Sequence, residues 1–355
     1  MSVCESIRSL SPYQGGKPIS ELQRELGLDR VVKLASNENP LGVGPKALAA
    51  MQLAITEVDR YPDGNGYELK QALAQHLSIA AEGITLGNGS NDILELIARA
   101  YVCQPSDEVV FSQYAFVVYP LVTQALGATA VVTPAKDFAH DLDAMLSAIS
   151  EQTKLVFIAN PNNPTGTLLA DEDIYQFLLA VPSSVMVVLD QAYIEYLDNT
   201  EDLALSWLGE FDNLIITRTF SKAYGLAGLR VGYSLSSAQV ADYLNRIRQP
   251  FNVNHVAQSA AIAALDDEAF LARSVSANKI GLKQLSDGFA KLGLSYIESS
   301  ANFVSVKVDN ANDLYQKLLE KGFIVRPVEM KNYLRVSVGT QHENQDFLDA
   351  LGAVL

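Results

Sequence analysis

Between residues 84 and 220 the chain alternates short apolar runs with segments of helical spacing. The run ITLG (84–87) leads into NDILELIARAY (91–101), EVVFS (108–112) into FVVYPLVTQALG (116–127), and ATAVVTP (128–134) into DLDAMLSAI (141–149). KLVFIAN (154–160), DEDIYQFLLAV (171–181), SSVMVVLD (183–190) and NLIITRTF (213–220) continue the pattern. Such alternation predicts an α/β fold in which a mostly parallel sheet is wrapped by helices.

The flanks differ in character. Residues 1–30 read as an amino-terminal arm, turn-rich at SPYQGGKPI and then briefly helical up to Gly27. Residues 31–265 hold the alternating pattern and form the expected large domain. Residues 266–355 begin with one long helical stretch and continue strand, helix, strand, strand, which predicts a small α+β domain. At 355 residues, 48% apolar and 19% charged, the chain has the composition of an ordinary globular protein with a substantial core. Its formal charge of −15 argues against nucleic acid as the main partner, since phosphate backbones require clustered Lys and Arg. No apolar run approaches the roughly 20 residues of a membrane span, and MSVCESIRSLSPYQ lacks the pattern of a signal peptide. Two cysteines, Cys4 and Cys103, suit reduced thiols in a cytoplasm.

In an open α/β sheet, ligands bind just past the carboxyl ends of the strands, so those positions carry the functional argument. After ITLG come Gly87, Gly89 and Ser90, entering a helix directly; free N–H groups and the helix dipole there would make a phosphate cup. A tight turn with Ser90 or Asn91 as helix cap explains the same residues. After KLVFIAN the turn PNNPTG (161–166) is rigid and could aim an Asn side chain at a ligand, or could be rigid for structural reasons alone. After SSVMVVL stands Asp190, a carboxylate that needs a cation or N–H partner if it is buried. After NLIITRTF stands Lys222, which read alone is as well a surface lysine in a Gly-rich loop. A molecule with a phosphate, a basic ring nitrogen and an aldehyde would satisfy all four positions together. Pyridoxal phosphate is such a molecule.

The stretches SPYQGGKPISELQRELG, KLASNENPLG, RYPDG, NPNNPTG, RTFSKAYGLAGLRVGY and LRVSVGT extend the argument over almost the whole chain. In them the sequence resembles the histidinol-phosphate aminotransferases, of the fold-type-I superfamily of pyridoxal-phosphate enzymes. The resemblance implies that Lys222 forms the Schiff base and serves as general acid and base, which requires a lowered pKa. It implies that Asp190 pairs with the pyridine nitrogen, that Asn163 and Tyr193 hydrogen-bond the ring's phenolate oxygen, and that Tyr114 stacks on the ring. Gly89, Ser90, Thr219, Ser221 and Arg230 would hold the phosphate. Tyr61 would reach the phosphate in a neighbouring subunit, making the protein a homodimer. Arg335 would clamp the acidic end of the substrate, with Arg326 and Tyr13 as further candidates for that pocket.

The implied reaction is ping-pong transamination between L-histidinol phosphate and 2-oxoglutarate, giving imidazole acetol phosphate and L-glutamate. Aromatic amino-acid aminotransferases share the cofactor residues, so phenylalanine or tyrosine is the alternative substrate. A rival of another class is a catalytically silent ligand-sensing domain of the same fold. None of the four histidines is expected at the chemistry: His255 reads as a packing contact, and His76, His140 and His342 as solvated. No metal-ligand spacing is present. One departure stands out, Gln191, where the family often has Glu after the ring-binding Asp.

Overall fold

A computed structural model of the chain describes residues 3–12, 15–197 and 202–355. Seven strands make the central sheet: β1 Ile84–Gly87, β2 Glu108–Ser112, β3 Thr129–Thr133, β4 Thr153–Ala159, β5 Met186–Asp190, β6 Leu214–Thr219 and β7 Gly232–Leu235. Their spatial order is β1-β7-β6-β5-β4-β2-β3. Strands β6, β5, β4, β2 and β3 pair in parallel, whereas β7 is antiparallel to both of its neighbours.

The central strands are buried along their length because both faces of the sheet are covered, as a parallel sheet requires. Side chains alternate between those faces. Leu155, Phe157 and Ala159 of β4, Val188 of β5 and Ile215 of β6 pack into one core with Tyr119 and the helix Ser90–Tyr101. Val156, Ile158, Val187, Leu189, Leu214 and Ile216 pack into the other, with Trp207 and the helix His255–Leu265. This parity places Asp190, Thr217 and Thr219 on the first face, and Gln191 and Arg218 on the second.

Strand β7 is absent from the apolar rhythm of the sequence. It is four residues long, contains Gly232 and Ser234, and pairs Gly232 with both Gly87 and Thr219. A Cβ on Gly232 would lie 2.6 Å from the Ser90 nitrogen, so glycine is what lets the β7 backbone pass the start of the helix.

The carboxyl-terminal part opens with the 24-residue helix Glu268–Lys291. An antiparallel sheet follows, in the order Tyr296–Ile297, Phe303–Lys307, Tyr333–Ser337, Arg326–Pro327. The helices Ala311–Glu320 and Gln341–Val354 complete it, and Phe289, Val304, Leu318, Leu334 and Phe347 form its core. Val32 and Leu34 also pack in this core, because Val32–Lys33 pairs in parallel with Phe323–Ile324. The segment just after the arm therefore belongs by packing to the small body. It then leads straight across to the strand ends of the large one.

Candidate active site

Beyond the carboxyl ends of β4, β5 and β6 lies a cavity of about 190 Å³, lined by Asp190, Lys222, Asn163, Tyr193, Arg230 and Arg335 among others. Asn163 follows β4, Asp190 ends β5 and Tyr193 follows it, Lys222 and Arg230 lie between β6 and β7, and Arg335 is on a strand of the small body, so the cavity exists only once these elements have come together. Asp190 is the last residue of β5 and is 4% exposed. Its Oδ2 accepts from the Tyr119 hydroxyl at 2.9 Å and its Oδ1 from Thr217 Oγ1 at 3.0 Å. Burial pushes its pKa up, while the two hydroxyls, the Ala192 N–H and Lys222 oppose that rise.

Lys222 follows β6 and is half-buried at the cavity wall. Its ammonium donates to the Ser36 carbonyl at 3.3 Å and sits 5.7 Å from the centroid of the Tyr193 ring. Burial, with Arg335 and Arg230 adding to it, brings the lysine down to about 7, against the pull of Glu38 and Asp190. An amine in that state is available as a nucleophile and base near neutral pH.

The helix Ser90–Tyr101 begins at the cavity, with Gly89, which has no side chain to make a cap bond, as its N-cap. Ser90, its first residue, lines the cavity. Arg230 stands opposite, in the left-handed region at φ 56°, and donates to Ser221 Oγ at 3.2 Å and the Ala227 carbonyl at 3.1 Å. The Ser221 N–H donates to Thr219 Oγ1 at 3.1 Å. Gly89 has φ 85°, and a Cβ there would come within 2.3 Å of Arg230 Nη2. Helix N–H groups, two hydroxyls and a guanidinium thus converge around a glycine, which is the donor set of an anion site.

Arg335, on Tyr333–Ser337, closes the cavity from the small body. Its Nη1 donates to Asn163 Oδ1 at 2.6 Å and its Nη2 to the Ala35 carbonyl at 2.7 Å, and its guanidinium lies 5.3 Å from the Phe303 ring. Two further wall residues, Ser36 and Asn37, stand in the stretch KLASNENPLG, to which the sequence reading assigned no site residue. Asn37 is 1% exposed, held by Ser337 and Asn302 of the small body, and donates to the Tyr193 hydroxyl at 2.9 Å. The density of Asn in SNENP was the available signal.

The sequence profile described as aminotransferase class I and II matches residues 29–351. The chain is 57% identical to a histidinol-phosphate aminotransferase of Methylobacillus flagellatus over 99% of this chain and 96% of that protein. It is 56% identical to histidinol-phosphate aminotransferase 2 of Pseudomonas aeruginosa, over 98% and 96%. The crystal structure of histidinol-phosphate aminotransferase from Sinorhizobium meliloti in complex with pyridoxal-5'-phosphate superposes with a TM-score of 0.92, at 31% identity, over 99% of this chain and 97% of that one. The chain belongs to the histidinol-phosphate aminotransferase family.

The remaining expected residues of this aminotransferase are Tyr114, Arg326, Tyr61 and Tyr13. Tyr114 does not line the cavity. Its carbonyl accepts from Asn162 Nδ2 at 2.8 Å, and its ring stacks on Phe138 at 5.8 Å, in a cluster with Met330 and Tyr333. Phe116, two residues on, lines the cavity together with Tyr193. Arg326 pairs in register with Arg335 across the small sheet but lines a separate groove with Gln124, Tyr315 and Gln316. Tyr61 is 82% exposed and stacks on Phe251 at 4.6 Å, outside the cavity of its own chain. Tyr13 lies outside the described residues.

Two further expectations meet the structure on the far face of the sheet and beside β4. Gln191 Oε1 accepts from Arg218 Nε at 3.1 Å and Nη2 at 2.6 Å, and Arg218 also pairs with Asp202. The departure at 191 thus faces away from the cavity. His140, expected to be solvated, is 4% exposed; its Nε2 lies 3.0 Å from the Ala159 carbonyl, and burial holds it down to about 4. The short pairing of Ala135–Lys136 with Ala139–His140 folds the ring inward, which a lone His in a turn does not reveal. Among the described residues there is no cluster of His, Cys, Asp and Glu that could hold a metal ion, and no helix long and apolar enough to cross a membrane.

Proposed function

We propose that this aminotransferase uses pyridoxal phosphate, attached as a Schiff base to Lys222, to exchange an amino group between L-histidinol phosphate and 2-oxoglutarate. The products are imidazole acetol phosphate and L-glutamate, and in the histidine biosynthetic direction the reaction runs toward histidinol phosphate. The observation that carries the reading is the convergence of Asp190, Lys222 and Arg230 on one cavity, in a chain whose close relatives bear that enzyme's name.

The residues fit the cofactor group by group. A buried carboxylate at Asp190 suits a protonated ring nitrogen, and the Gly89–Arg230–Ser221 cluster, with Thr219 and Ser90, suits a phosphate. Asn163 and Tyr193 are placed to reach a ring oxygen, and Phe116 to cover the ring. When bound, pyridoxal phosphate supplies an electron sink for the pair left at the substrate's α-carbon. Lys222 Nζ, neutral near pH 7, would take up that α-proton and return it to the former aldehyde carbon, across the nitrogen that joins the two. Asp190 keeps the ring nitrogen protonated. Arg335 orients the substrate by its acidic end, phosphate in one half-reaction and carboxylate in the other.

The dimer is part of the reading. Leu53 at 75%, Ile55 at 63%, Val58 at 60% and Tyr61 at 82% exposure follow one another along the helix Pro45–Ala54 and the turns after it. A second copy covering this surface would bury them and carry Tyr61 to the neighbouring cavity. Cys4 and Cys103 are both free and exposed, which agrees with a cytoplasmic protein.

The test is an absorption spectrum of the loaded protein with L-histidinol phosphate and no keto acid. Loss of the visible band, and its return with 2-oxoglutarate, is the expected result. A band discharged only by phenylalanine or tyrosine would refute the substrate. Failure to take up the cofactor would refute the chemistry.

A further inference from the structure

We propose that Tyr119 is a positioning residue that, together with Thr217, clamps the Asp190 carboxylate so that it stays ionised toward the cofactor's ring nitrogen. The inference rests on the cofactor reading above. It begins with a residue that has no direct access to the cavity. Tyr119 lies in the helix Val118–Ala125 and is fully buried, with its ring stacked on Phe157 of β4 at 4.5 Å and 6°. Its hydroxyl reaches Asp190 Oδ2 at 2.9 Å, while Thr217 Oγ1 reaches Oδ1 at 3.0 Å from the neighbouring strand.

Packing alone does not call for that hydroxyl. A phenylalanine would fill the same slot, and burying a phenol without a partner is unfavourable, so the group is there for the bond it makes. One hydroxyl on each oxygen fixes the plane of the carboxylate. With the Ala192 N–H as a third donor, one of the carboxylate's four lone pairs is left for a ring N–H. Donors to the charged form favour ionisation against the burial that opposes it. The hydroxyl also remains a donor, since burial and the adjacent Asp190 charge push its own pKa well above the usual phenol range.

Two further groups act on Asp190 beside the hydroxyls. Lys222 and the Ala192 N–H also favour its charged form, but Lys222 is the amine reserved for the aldehyde and the proton. On β4, Ala159 pairs with Asp190 and engages His140, whose lowered pKa keeps it neutral. Tyr193, on the loop after β5, receives its bond from Asn37. The same Tyr119 ring meets Phe116 edge-on at 5.8 Å and 87°, so one side chain supports both the ion-pair partner and the aromatic wall.

The experiment is ¹⁵N NMR of the protein loaded with cofactor labelled at the pyridine nitrogen. In the parent protein the signal is expected at the protonated position. Tyr119→Phe keeps the ring, its stack on Phe157 and its contact with Phe116, so a packing role alone leaves the signal where it is. Loss of the clamp instead makes Asp190 more basic, so the shared proton passes from the ring nitrogen to the carboxylate and the signal moves toward the unprotonated position. Thr217→Val, on the other oxygen, moves it the same way and serves if the first variant does not fold. An unmoved signal in a loaded variant overturns the clamp alone. Failure of the parent to take up the labelled cofactor overturns the cofactor reading and the clamp with it.

Discussion

Arg335 Nη1 donates to Asn163 Oδ1 at 2.6 Å, so a strand of the small body is tied to the Asn-Pro turn of the large sheet across the cavity. The guanidinium's second arm holds the Ala35 carbonyl at 2.7 Å. One planar group therefore braces three segments while presenting its charge to the cavity.

That geometry predicts the cost of losing the fork. Arg335→Lys keeps the charge but cannot span Asn163 and Ala35 together, and kcat/KM for L-histidinol phosphate should fall by about 10²-fold. Asn163→Ala removes one of the two anchors and should cost less, about tenfold. Steady-state kinetics of both variants, with cofactor saturation confirmed by absorbance, decide this. Equal losses in the two would show that the fork is not what matters.

Lys222 supplies a prediction with a pH sign. Its pKa of about 7 lies below that of an ordinary lysine, so the reactive neutral amine predominates above pH 7 and is scarce below it. The rate at which cofactor-free protein captures pyridoxal phosphate should rise about tenfold per pH unit below 7 and level off above it. Stopped-flow absorbance across that range reads the midpoint. A midpoint near that of a free lysine would contradict the account of how burial and Arg335 act on the amine. Lys222→Ala should abolish turnover, a loss of about 10⁴-fold or more.

These residues show where the sequence was sufficient. Strand ends mark where ligands sit, and the strands before Asp190 and Lys222 open on the apolar runs MVVL and LII, so both residues could be placed past a strand end. Strand β7 has no such run: it is a short antiparallel return that needs glycine more than it needs apolar side chains. Phe116 and Tyr114 sit two apart in one loop after β2, and only the packed structure, with Tyr114 stacked on Phe138 and Phe116 at the cavity, shows which ring turns inward. Tyr119 is hidden for another reason. Its helix reads as apolar, and its hydroxyl acquires meaning only through Asp190, 71 positions away. Val32 and Leu34 follow the same logic, since their partners are strands near the opposite end of the chain.

Gly89 tests the anion cup independently of the amine. It adopts φ 85° and ψ 167°, a region nearly closed to other residues, and a Cβ would press within 2.3 Å of Arg230 Nη2. Gly89→Ala should destabilise the cofactor-free protein by about 2 kcal/mol and weaken cofactor binding by about tenfold as Arg230 is displaced. Gly228→Ala is the control, since its Cβ would meet nothing within 4 Å, and it should stay within about 0.5 kcal/mol of the parent. Urea unfolding and a cofactor titration measure the two effects separately. Parent-like behaviour of Gly89→Ala would remove the steric basis of the cup.

Tyr61 carries the prediction that only an assembly can satisfy. It is 82% exposed, rests on Phe251 and lies outside its own chain's cavity, so any role in cofactor binding has to be played in a neighbour. Tyr61→Ala and Lys222→Ala should each give a poorly active or inactive protein when expressed alone. Mixed by refolding or co-expression, they form hybrid dimers in which one site has an intact Lys222 and receives an intact Tyr61 from the other chain. With random pairing half the dimers are hybrids and one site in each is complete, so the mixture should recover about one quarter of parent activity. Separately tagged chains allow the hybrid to be isolated and assayed directly. A hybrid no more active than the average of its two parents would mean that Tyr61 serves its own chain, and that the exposed apolar surface around it does not complete the site.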